Sequence, residues 1–245
     1  MPFAPLERAI DGAGTAVPTP RITDLLESLE SNYGALDPLA PTEPYEFLIW
    51  WHCGYPASEE RCSKGWASLT REVGIAPKDL MAASTARLVG ALKTGGMVPE
   101  VRAARLKEIA ARVQGEYGGD LRAALSRLSA PQARKALKAF PGIGNPGADR
   151  ILLFARLSPV AAVPSACPHV LVRVLHGPEG EKYVAVYAAA QRILNTLPAT
   201  FDERIRGYLL VARHGHELCK RSNPLCERCP LRAQCAFANR SKNQT

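Results

Sequence analysis

The sequence predicts an all-α protein, and three observations carry that expectation. Apolar residues recur at helical spacing from RITDLLESLESNYG almost to the C-terminus. No alternating strand pairs joined by Asn-Gly or Asp-Gly interrupt the pattern. Gly, Pro and Ser mark short connections between the periodic segments, which show no fixed-period repeat.

Residues 1 to about 20 are rich in Pro, Ala and Gly and read as a loosely ordered arm. Helical periodicity then runs through YEFLIWW, CSKGWASLTREVG, STARLVGALKTGG, VRAARLKEIAARVQGEYG and DLRAALSRLS. It continues through PQARKALKAF, PGADRILLFARL, YVAVYAAAQRILNTL and DERIRGYLLVARHGHELC.

Between two of these segments, one helix (about Pro131 to Ala139) ends at Phe140-Pro141, and Gly142, Ile143 and Gly144 make a tight turn. Asn145 is placed to cap the next helix with Pro146 at its first position. Two glycines let the backbone approach another group closely, while Ile143 can plug the core between the helices. The turn reads either as an anion site beside a helix N-terminus or as an ordinary helical hairpin, and pattern alone does not separate the two.

The chain has 245 residues, enough for a sizeable core. Its 31 Lys and Arg against 23 Asp and Glu leave a net charge of +8, compatible with a polyanionic partner and weak evidence for one. No basic segment leads into an apolar run and no stretch approaches eighteen apolar residues, so neither export nor membrane spanning is expected and the chain is assigned to the cytoplasm. Four of its seven cysteines, Cys219, Cys226, Cys229 and Cys235, fall within LCKRSNPLCERCPLRAQC. In a reducing compartment such a group points to metal or cluster ligation rather than two disulfides. Cys53, Cys62 and Cys167 read as buried small apolar residues.

FPGIGNPGA resembles the hairpin of the helix-hairpin-helix (HhH-GPD) DNA glycosylase superfamily. The C-x6-C-x2-C-x5-C spacing of the four clustered cysteines, with its His214-Gly215 lead-in, resembles the iron-sulfur loop of that superfamily's endonuclease III branch. The resemblance implies a [4Fe-4S] cluster on Cys219, Cys226, Cys229 and Cys235. Zinc is the structural rival, but zinc sites usually pair two Cys-x2-Cys knuckles, and only Cys226 and Cys229 form one. It also implies two helical lobes with a DNA cleft between them. A six-helix lobe would span 42–158 with the helix-hairpin-helix at about 131–157. An iron-sulfur lobe would span 159–245 with the cluster loop at 219–235, joined by an arm and helix from 1–41. The implied partner is double-stranded DNA, damaged, bound by a monomer that meets no membrane and associates with the nucleoid through DNA. Gly142, Ile143 and Gly144 would face the DNA backbone, as would Lys220 and Arg221, with Arg228 and Arg232 nearby.

The catalytic pattern is where this sequence departs from the family. Members cleave the glycosidic bond with an Asp beyond the hairpin's second helix, in a setting such as A-V-D-T-H-x-x-R-V. Laid on that pattern without gaps, Ala162-Val163 match, Pro164 takes the Asp position and His169 the Arg; a shift of four puts Pro168 on the Asp instead. The Lys that forms a Schiff base in bifunctional members is replaced by Pro146, and Lys135 and Lys138 lie on the preceding helix. Proline neither activates water nor forms an imine, and losing a positioned base costs roughly 10² to 10⁴ in rate. A surviving activity would therefore be that of a monofunctional N-glycosylase in base excision repair without the lyase step; the alternative is a non-catalytic lesion- or structure-specific DNA-binding protein. Asp149 and Glu59 are weak substitutes, each weighed against an ordinary surface or capping carboxylate. Ser165, Cys167 and His169 flank the position with no spacing that makes them converge. The loop YPASEERCSK has Pro56, Ala57, Ser58 and Glu59 where the family often carries a duplex-inserting Gln-x-x-Asp. Met97 lies near a family wedge position, with a core methionine as the safer reading.

Overall fold

The computed structural model describes residues 20–242; the arm expected before residue 20 lies almost entirely outside them. Among the described residues there are thirteen α-helices and no strand, in accord with the helical periodicity. No helix is long and apolar enough to cross a membrane.

Eight consecutive helices gather around one hydrophobic core. They are α2 (Pro44–His52), α3 (Glu59–Glu72), α4 (Pro77–Ala82), α5 (Thr85–Leu92), α6 (Pro99–Tyr117), α7 (Leu121–Ser126), α8 (Ala130–Lys138) and α9 (Asn145–Phe154). Several start where the sequence places an acceptor: Ser58, Ser84 and Asp120 take the backbone N–H of Arg61, Arg87 and Ala123 at 3.4, 3.3 and 2.9 Å. These bonds satisfy donors that the first helical turn otherwise leaves open. The apolar stripes then meet inside, with Leu48, Trp50, Leu69, Leu88, Leu106 and Leu137 essentially inaccessible. Each such side chain contributes about 1.5–3 kcal/mol by leaving water.

A second core joins the two ends of the chain. α1 (Ile22–Tyr33) packs on α12 (Phe201–Glu217), and α10 (His169–His176), α11 (Tyr183–Leu194) and α13 (Ala236–Lys242) complete it. Gly207 on α12 lies against the end of α11 and the residues after it, as well as α1. A Cβ there would come within 3.0 Å of Leu197 and 3.4 Å of Leu26. Between the cores, Leu153 and Phe154 of α9 meet Ala162 and Tyr208, with the Phe154 and Tyr208 rings 5.1 Å apart and edge-on. The second half of α9 therefore belongs to both packings and positions its polar residues at the seam.

Candidate functional site

The hairpin is the first component. α8 ends before Phe140, Gly142 adopts φ +68°, and Gly144 caps α9 in an extended conformation. The cap is thus Gly144 rather than the expected Asn145, which begins the helix with Pro146 in its first turn. Ile143 is buried in the first core, while Gly142 and Gly144 are exposed. From α2, the buried His52 ring donates from Nε2 to the Pro141 carbonyl at 2.8 Å. Burial pushes His52 down to about 4, so the ring is neutral at physiological pH.

The seam is the second component. Ala161 to Pro164 run buried between the cores, and Ser165 and Ala166 reach the surface before Pro168 precedes α10. The three residues flanking this stretch go to different places. Ser165 is exposed, Cys167 is buried with its thiol pushed up to about 12 by burial, and the His169 ring donates from Nε2 to the Cys219 carbonyl at 2.8 Å. They form no nucleophilic group.

Asp149 is neither a surface nor a capping carboxylate. It is 4% exposed, ion-paired to Arg134 at 2.7 Å, and its Oδ2 accepts from Arg134 Nη2, the Tyr187 hydroxyl and Gln191 Nε2 at 2.8, 2.8 and 3.0 Å. A carboxylate so occupied holds the seam together. Glu59, half-buried at the start of α3, accepts from Arg150 Nη1 at 2.6 Å through one oxygen. Arg150 is itself buried, with the rings of Phe47, Trp50, Phe154 and Tyr208 within 5.1–5.7 Å of its guanidinium carbon.

Met97 corrects the core reading, since it is 80% exposed. The interior space beneath its loop is taken by Arg102, whose guanidinium donates to the carbonyls of Met97, Leu92 and Gly96 at 3.0, 3.0 and 2.6 Å. Val98, at φ +53°, turns the chain outward. Across the α2–α3 loop, Tyr55 stacks on Trp51 with ring centres 3.9 Å apart.

The cysteine loop is the third component. Cys219, Cys226, Cys229 and Cys235 line one small cavity with His214, Leu218, Leu225 and Phe237. Among the described residues no three His, Cys, Asp or Glu side chains converge closely enough to hold a single ion. Four cysteines lining one cavity are a donor set that a thiolate-ligated metal group would need. Arg173 on α10 pins the loop. It pairs bidentately with Glu179 at 2.6 and 2.7 Å, donates to the Lys220 and Arg221 carbonyls at 2.9 Å each, and lies 4.8 Å over Phe237. The Lys220 and Arg221 side chains are left exposed, whereas Arg232 is paired with Glu227. A cavity of about 520 Å³ lies elsewhere, between α1, the end of α9 and α12, and its Arg122, Arg156 and Arg206 are each paired with a carboxylate.

No family model matches the chain. It is 30% identical to a thymine-DNA glycosylase of Aeropyrum pernix over 142 residues, 56% of this chain and 58% of that relative. It is 27% identical to endonuclease III of Thermotoga maritima over 199 residues, 81% of this chain and 85% of that relative. The fold matches a solved non-covalent endonuclease III–DNA complex with a TM-score of 0.70 at 19% identity, covering 91% of this chain and 97% of that one. It matches a thermostable thymine-DNA glycosylase structure with a TM-score of 0.70 at 18% identity, covering 89% and 97%. The chain has the all-α fold of endonuclease III.

Within this fold the four cysteines come together on one cavity, and the hairpin residues form one turn. Asp149 and Glu59 occupy separate ion pairs. Sequence reading missed Arg173, Arg150, Tyr187 and His52, which orient the site from other helices. A buried arginine within an apolar stripe, as in HVLVRVL or ADRILLF, is the one signal that could have drawn attention to two of them.

Proposed function

We propose that this protein binds duplex DNA carrying a lesion in the seam between its two cores, and that any base it releases is released hydrolytically, without the lyase step. The reading rests on one combination: the hairpin and the basic cysteine loop keep the family's form, while prolines occupy both catalytic positions. The relatives' names and the solved endonuclease III–DNA complex support DNA as partner. Gly142, Ile143 and Gly144 would meet a backbone phosphate through the exposed turn and the start of α9. Lys220 and Arg221 would meet another. Met97, projecting from its anchored loop, would enter the duplex where a nucleotide has left it.

Cys219, Cys226, Cys229 and Cys235 would hold a [4Fe-4S] cluster, whose bonds to four thiolates would shape a loop too short to build its own core. The division into lobes at 42–158 and 159–245, with 1–41 joined to the latter, follows the same reading.

For the missing carboxylate, the register shifted by four is the better supported, because it puts Arg173 and Val174 on the pattern's Arg and Val, with Pro168 directly before α10. Either register leaves a proline. Of the two substitutes, Glu59 is the one with solvent access and an oxygen outside its ion pair. The second reading, a lesion-binding protein without catalysis, is favoured by the full occupancy of Asp149. A single-turnover assay with protein in excess, on duplexes carrying oxidised or alkylated bases, uracil or mismatches, decides between them. Base release by wild type that Glu59→Gln abolishes establishes the hydrolytic reading. Silence from wild type with activity in Pro164→Asp or Pro168→Asp establishes a binding protein built on a glycosylase cleft, and failure of wild type to bind any of these duplexes overturns both.

A further inference from the structure

Beside the cysteine cavity, three residues from distant parts of the chain form a line. The Tyr33 hydroxyl, at the end of α1, lies 2.9 Å from Nδ1 of His214 on α12, and Nε2 of that ring lies 3.5 Å from the sulfur of Cys229. His214 is fully buried and forms part of the cavity wall. The rings of Tyr33 and His214 are tilted by 59° with centres 6.1 Å apart, an arrangement for hydrogen bonding rather than stacking.

We propose that His214 is a positioning residue for the cysteine-held cluster: its Nε2–H donates to the Cys229 thiolate, and Tyr33, donating to Nδ1, fixes the ring in the tautomer that can do so. This rests on reading the four cysteines as cluster ligands. A coordinated thiolate carries no proton and can only accept, so the facing ring nitrogen must carry one. Neutral imidazole has a single N–H, so Nδ1 must then accept, and the Tyr33 hydroxyl is the donor placed there. The hydrogen bond holds the Cys229 side chain toward the cavity and draws electron density from the sulfur, a recognised way in which a protein tunes such clusters. It also makes cluster retention depend on α1, 181 residues from His214.

The test uses the full-length protein isolated anaerobically with its iron. His214→Phe keeps a ring but no N–H, Tyr33→Phe removes the orienting hydroxyl, and His214→Gln can offer an amide N–H near the Nε2 position. The iron–thiolate stretches in the resonance Raman spectrum should move to higher frequency in His214→Phe, and less so in Tyr33→Phe. Bleaching of the visible absorbance in excess chelator should be on the order of tenfold faster in His214→Phe. His214→Gln should recover part of both. If His214→Phe does not load iron, Tyr33→Phe carries the comparison. Iron-loaded variants with wild-type stretches and bleaching rates would overturn the hydrogen bond and leave the cluster reading intact. A wild-type protein that holds zinc, or no iron, would overturn the cluster reading itself.

Discussion

Tyr187 and Asp149 clasp the two cores: the hydroxyl on α11 donates across 2.8 Å to the carboxylate on α9, which also holds Arg134 and Gln191. Hydrogen bonds to a charged group contribute about 1.5–3 kcal/mol each, so Tyr187→Phe should cost roughly that much. Asp149→Ala strands Arg134 and two other donors and should cost about 3–5 kcal/mol. Urea unfolding of both variants measures this, and a loss under 1 kcal/mol in Asp149→Ala would remove the clasp.

Gly142 and Gly144 should separate fold from binding. At φ +68°, a side chain on Gly142 is strained and its Cβ would sit 3.1 Å from His52 Cε1. Gly142→Ala should therefore destabilise by about 1–2 kcal/mol. Gly144 has an ordinary extended conformation and only Pro146 Cδ nearby, at 3.7 Å. Gly144→Thr, β-branched yet able to cap α9, should melt within a few degrees of wild type while losing on the order of tenfold in DNA affinity by fluorescence anisotropy. Wild-type affinity in this folded variant would take the turn out of the interface.

Lys220 and Arg221 have no ion-pair partner among the described residues. If each neutralises a phosphate, the double Ala variant should lower the slope of log affinity against log salt by about 2, uniformly across sequences. An unchanged slope would place the loop away from DNA.

His52 makes stability depend on pH in a defined direction. Burial, with smaller effects of Arg105 and Arg102, pushes its pKa from 6.5 to about 4, while the contact with the Pro141 carbonyl opposes the shift. The folded value lies below the unfolded one, so acid favours the unfolded chain: stability is complete above about pH 7 and declines between roughly 6.5 and 4. At 1.36 kcal/mol per pKa unit the full loss is about 3 kcal/mol. His52→Gln, whose amide can still donate to Pro141, should lose about 2–3 kcal/mol less than wild type between pH 7.5 and 4.5. Buried His214, also pushed down to about 4, contributes equally to both proteins and cancels. Parallel pH profiles would contradict the assignment.

What was legible in the sequence is what depends on neighbours along the chain. Helical periodicity, the Phe140–Gly144 turn and the four-cysteine spacing are local, because backbone geometry and ligand reach act over a few residues. By itself the sequence determined the all-α class, the hairpin and the grouping of four cysteines in one short stretch. Tertiary structure decided the rest. Met97 is exposed because Arg102, five residues on, fills the space beneath its loop. Asp149 is locked by Tyr187 and Gln191 from another helix, and Arg173 holds the Lys220 and Arg221 backbone from 47 and 48 residues away. Tyr33 and His214 meet because α1 packs on α12 across 181 residues of chain. Such pairings arise only when packing brings distant segments together, and no local pattern encodes which buried polar group will meet which partner.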